Sequence, residues 1–483
     1  MTDSKLVSLL KTFSKSEFKN FEKFVSSPYF SKGRDLMPLF KALKIYYPQF
    51  SSEKFSVKNI YESIFPGKNY GDTKSNSLMK TLISELYKMC IDFLAYSSFK
   101  EDEKRKSFYV LDQIRRRKHY IEFEKEYEKI INDTNKGGIT DFIERYFLYS
   151  VYKNYSLDRD QFNDSFEYTL ATDENIVAAA LMMSFMIEDV KNTSDAYNIP
   201  MRYNLMNNLL ENLNTENLLE EMKINSDRFY PYVLIFYMIY KMNKHKDNTE
   251  YYYELKKLVA ENKNLFGRED NFLLSNIMLT YVNVKLFPNE EYCFLYEYML
   301  ENNIYKKTES DDFHIILFRN IVVVFSALEE YEKLENFIQK YSSELHIEHR
   351  DNMYNFSFAH LNFIKGNFEK ALEYTGKINY DIFIFKLDAR ILLMKIYYEL
   401  SYFEQAYSLI DSITHFLRYT NEFSDIFKNH YNNFIKNFHR LLKLKTSGVS
   451  DSDSINILEM KIKKEKQTGN ILWLQKKIDE MKL

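Results

Sequence analysis

Glycine and proline are scarce, 10 and 7 among 483 residues, where an average chain carries roughly 7% and 5%. Turns, bulges and tight loops draw on those two residues. Their shortage argues against a sandwich, a closed barrel or a Gly-rich nucleotide-binding sheet, and favours long helices joined by short polar turns. The expected fold class is all-α. Cysteine is scarcer still. Cys90 and Cys293 stand alone in LYKMCIDFL and YCFLYEYML, without the paired spacing of a metal site. Both read as core residues in a reducing compartment. Long apolar runs are also missing. IVAAALMMSFMI (176–187) and VLIFYMIY (233–240) fall short of the ~20 residues of a membrane helix. The opening MTDSKLVSLLKTF lacks the apolar core of a signal peptide. A cytoplasmic location without membrane insertion is expected.

A strong net charge is missing as well. Hydrophobic residues make up 45% and charged ones 28%, with a balance of only −3, the mark of a folded globular chain. That balance hides an uneven spread: +7 over residues 1–100, +6 over 427–483 and −16 between. Basic ends around an acidic middle could steer partners. Phe and Tyr, 40 of each, accompany abundant Lys, Asn and Ile. That mixture follows AT-rich codon use and is not read as a base-stacking surface.

The amino-terminal stretch is rich in helix signals. In FSKSEFKNFEKFVSSPYF, Ser14 and Glu17 have capping-box spacing, with Phe13 and Phe18 as the flanking staple. Phe18, Phe21, Phe24 and Val25 then share a face, and Pro28 stops the helix at Ser27. Pro38 suits the first turn of the next helix. Ser56 and Asp72 read as two further caps, and Phe55 with Ile60 as a second staple. The serines therefore mark helix ends and not a nucleophile, which would need a G-x-S-x-G setting. Residues 1–98 are expected to form an N-terminal helical domain.

Repeats mark the second half. ALEEYEKLENFIQ (327–339), KGNFEKALEYTGK (365–377) and LSYFEQAYSLIDS (400–412) align at periods of 37 and 35 residues. Gly366 falls at a turn, and Ala371, matched by Ala406 35 residues on, falls where two helices would approach closely. These segments resemble the tetratricopeptide repeat, of period ~34. That resemblance implies helix pairs over 226–444, preceded by a helical connector (99–225), stacked into an α-solenoid with a concave groove. It places Ile316, Arg319 and Val323, then Met353, Phe356, His360 and Phe363, then Asp388, Ile391, Lys395 and Tyr398 in that groove. Partner binding is expected at Arg319, Met353, Phe356, His360, Phe363, Lys395 and Tyr398. FEKFVSSPYF with IYESIFPGKNYGD, and NILWLQKKIDEM near the other end, also resemble a family of bacterial helical-repeat proteins of unknown function. A linker (445–454) and a capping helical segment (455–483), docked through Ile471, Leu472, Leu474 and Ile478, are expected to close the array.

Several motifs carry no chemistry. HIEH (346–349) offers two histidines without the order of a zinc protease, and GKNYGDTKS (67–75) lacks the phosphate-loop order. No catalytic residue, metal or cofactor is expected. RRRKH (115–119) reads as a solvated helix face. The function expected is a non-catalytic scaffold binding a protein or peptide in the groove. The alternative is a nucleic-acid-binding regulator that uses the basic first domain, with Ser77, Lys80, Thr81, Ser84 and Lys88 as a groove-entering stripe.

Overall fold

The computed structural model describes residues 4–482 apart from 32, 134–137, 197–198, 202, 226, 286, 380–382, 421–424, 448–451 and 465–469. Every regular element among the described residues is a helix. The chain divides into two compact units, Met1–Asn132 with Leu157–Arg159, and Asp133–Ser156 with Asp160–Leu483.

The first unit holds α1 (Lys5–Lys11), α2 (Lys15–Ser26), α3 (Met37–Lys44), α4 (Val57–Ile64), α5 (Thr73–Glu101), α6 (Glu103–Arg116) and α7 (Tyr120–Asp133). It runs past the expected boundary at residue 98. Helix starts follow the sequence signals. The Ser14 hydroxyl accepts from the Glu17 N–H while the Glu17 carboxylate accepts from the Ser14 N–H. Ser56 and Asp72 cap α4 and α5 through the N–H groups of Asn59 and Ser75. The 29-residue α5 is the common partner of α1 to α4. Between them lies an aromatic core in which Phe40 stands 5.1 Å from Phe18 and 5.5 Å from Phe21. Cys90 is fully buried there.

The second unit begins with α8 (Ile139–Asp158), α9 (Phe162–Phe185), α10 (Ile187–Ala196), α11 (Leu205–Asn212) and α12 (Thr215–Ile224). Phe162–Asn192 is long and apolar enough to cross a bilayer by length and composition, unlike the shorter run read from the sequence. Its 18-residue apolar window is 44% buried, and α9 packs Ala178, Ala179, Met182 and Phe185 into a core shared with α13. Six helix pairs follow: α13 (Tyr230–Lys244) with α14 (Glu250–Glu261), α15 (Arg268–Val284) with α16 (Asn289–Glu301), α17 (Ile315–Ala327) with α18 (Tyr331–Tyr341), α19 (Ile347–Ile364) with α20 (Phe368–Gly376), α21 (Phe383–Glu399) with α22 (Phe403–Tyr419), and α23 (Asp425–Ser447) with α24 (Ser452–Lys464). From α13 to α24 each helix packs on the next. The chain ends in α25 (Ile471–Lys482). Both ends of the expected linker 445–454 are helical, in α23 and α24.

The three aligned repeats share one turn. Glu329, Gly366 and Ser401 all take positive φ, 57°, 78° and 60°. The next residue's N–H then reaches five positions back, Glu330 to Phe325 at 2.9 Å, Asn367 to Asn362 at 2.9 Å and Tyr402 to Tyr397 at 2.8 Å. This closes each first helix with a left-handed cap. Three residues after each second helix begins, Leu334, Ala371 and Ala406 are fully buried. Only one of the three turns has the glycine its geometry favours.

Candidate functional site

The seven residues expected to line a groove are not exposed. Met353 and Phe356 are fully buried in the core that α17, α18 and α19 share, with Phe318, Ile321 and Leu334. Phe363 packs with Ala371, Leu392 and Ile396. His360, Lys395 and Tyr398 are 5%, 6% and 5% exposed, and the Arg319 side chain 15%. An apolar helix buries most of its circumference, and at Lys395 and Tyr398 the carboxy-terminal segment adds further cover through Asn470 and Trp473.

Arg319, from α17, reaches past α19 to α21. Its Nε donates to Asp388 Oδ2 at 2.6 Å, and its Nη2 also meets the carboxylate, a two-pronged pair. The Tyr431 hydroxyl of α23 donates to the same carboxylate at 3.3 Å. Between these, His360 Nδ1 stands 3.0 Å from Ser326 Oγ, while its Nε2 is buried with no hydrogen-bond partner among the described residues. Lys395 Nζ lies 5.1 Å from the Phe363 ring and donates to Asn470 at 3.0 Å. Three of the expected side chains, Arg319, His360 and Lys395, thus form one buried polar seam.

Helix α25 covers the outer end of that seam. Trp473 Nε1 donates to Glu399 at 3.3 Å, and its ring stands edge-on to Tyr398 at 5.4 Å and stacks on Phe438 at 5.8 Å. Lys477, one turn further along, meets Glu399 at 2.8 Å and Glu480 at 2.8 Å. Lys476 pairs with Glu329, in the turn after α17. On its other side, Leu474 and Ile478 are buried with Leu387, Ile391 and Phe434. Ile471 is half-buried and Leu472 is 39% exposed. Helix α25 packs against α23 and α24. It also crosses back over the ends of α21 and α19 to the turn after α17.

The electrostatics follow from that crowding. Burial, with Lys395 and Arg319 adding like charge, holds His360 well below its ordinary 6.5, so the ring is neutral. Burial also brings Lys395 down to about 8, although Glu399 and Asp388 pull the other way. For Lys477 burial opposes the charge, but hydrogen bonds to Glu399 and Glu480 prevail and raise its pKa. Tyr431 is raised by burial and by Asp388. The cysteines offer no nucleophile: burial pushes Cys90 up, and pushes Cys293 up to about 11.

In the first unit Ser77, Lys80, Ser84 and Lys88 are exposed along α5, with Thr81 half-buried. The basic run is engaged within its own unit. Arg115 donates to Asp112 at 3.0 Å and to Asp158 at 2.6 Å, Arg116 to Asp112 at 2.7 Å, and Arg117 to Gln113. His346 and His349 stand with rings 5.9 Å apart, and no group of three or more His, Cys, Asp or Glu that could hold a metal occurs among the described residues.

Sequence reasoning missed Glu399, Asn470, Trp473 and Lys477 as members of the site. One signal was available, the only tryptophan with a lysine four residues on, which share a helix face. No family model, curated protein or solved structure matches the chain.

Proposed function

We propose that the second unit is a tetratricopeptide-like repeat scaffold, cytoplasmic and non-catalytic, which binds a protein or peptide partner on the face that α25 covers. One observation carries this: Glu399 of α21 takes both the indole N–H and a lysine of a single amphipathic helix, and Glu329, in the turn after α17, takes the neighbouring lysine. A face that selects a helix by an aromatic anchor, an apolar pair and a lysine is built for helix-in-groove recognition. The nucleic-acid reading draws on the exposed stripe of α5, but the arginines of the densest basic run are spent on Asp112, Asp158 and Gln113.

Affinity capture with the full chain at low and moderate salt tests the choice. A protein retained in fixed ratio at moderate salt is the expected result. Nucleic acid alone, released steeply as salt rises, would overturn it.

A further inference from the structure

Building on that scaffold reading, we infer that α25 is an internal ligand, and that the partner presents an amphipathic helix of the same chemistry, which takes its place. The pattern is an amide or acid, an indole three residues on, an aliphatic next to it, then a lysine and an aliphatic one turn later, as in Asn470, Trp473, Leu474, Lys477 and Ile478.

Three observations support this. The contacts are long-range, Trp473 and Lys477 lying 74 and 78 residues from Glu399, and Lys476 lying 147 from Glu329. The charges are complementary, two lysines on the helix against two glutamates on the face. One of these pairs, Lys477 with Glu399, is buried, and such pairs add little net stability because both partners lose their water. The other, Lys476 with Glu329, is half-exposed and adds little for want of a dry setting. The fit is also incomplete. Lys395 points its charge at the neutral Asn470 amide, and its lowered pKa reflects that burial. A partner with aspartate in that place would hold the face more tightly than α25 does.

The test uses the full chain carrying Trp473→Phe, which removes the indole donor and leaves the protein without tryptophan. A synthetic peptide of residues 470–482 then supplies the only tryptophan in the sample. Saturable binding with a blue shift of the peptide's emission is expected. Binding to the wild-type chain should need tenfold more peptide or worse. Asn470→Asp in the peptide should tighten binding severalfold, and Lys477→Ala should weaken it tenfold or more. Full-length Lys476→Glu, changed at a half-exposed position, serves as a second open form, read by the anisotropy of fluorescein-labelled peptide. No binding by either variant, with circular dichroism like wild type, would overturn the inference and make α25 a fixed part of the core. If capture still retains a protein partner in that case, the scaffold reading survives with its partner on another surface.

Discussion

Lys395 carries an ammonium group into a place that is 6% exposed, beside the Phe363 ring and the Asn470 amide, where Glu399 and Asp388 only partly offset the loss of water. Its pKa falls from 10.5 to about 8. Between those values the unfolded chain holds the lysine proton and the folded chain does not, so folding stability rises with pH across that window. Below pH 8 the buried charge costs about 3 kcal/mol. Lys395→Met is therefore expected to raise stability at pH 7 by up to about 3 kcal/mol, reduced by whatever Asn470 loses. Urea titrations from pH 7 to 10.5 check this: the gap between variant and wild type should narrow as pH rises. His360 works at the acid end. With its folded pKa far below 6.5, the unfolded chain takes up the proton first, so stability is lost as pH falls below 6.5. None of this was legible in the sequence, because a lysine on a helix face gives no sign that a segment 75 residues away will bury it.

Helix starts, unlike the buried charges, were written locally. Ser14, Ser56 and Asp72 cap the helices their spacing indicates, because a cap bonds to an N–H only two or three residues on. Turns were half legible. Gly366 announced its left-handed geometry, whereas Glu329 and Ser401 adopt the same geometry without the residue that favours it. An L side chain held at positive φ costs roughly 1–2 kcal/mol. Ser401→Gly is accordingly expected to stabilise the second unit by about 1 kcal/mol, and Gly366→Ala, at φ 78°, to destabilise it by about as much. Chemical denaturation followed at Trp473 gives both values. A shift of the same sign for both would break the equivalence of the two turns. Glu329 is less suitable for this test, because it also holds Lys476.

The two units have separate apolar cores, and Trp473 reports on the second. Phe40→Ala empties a fully buried site in the first core and should cost about 3–5 kcal/mol. The expected outcome is loss of circular dichroism at lower urea, with the Trp473 transition unmoved. The all-α class was legible from glycine and proline alone, and the aligned repeats from their 35- and 37-residue spacing. What the sequence hid was the occupant of the face, since α25 meets α21 and the turn after α17 only through the fold. Trp473 emission addresses that contact directly. The wild-type chain should emit to the blue of the free 470–482 peptide, and Glu399→Gln, 74 residues from the indole, should shift that emission. An emission identical to the peptide's and indifferent to Glu399 would contradict the account.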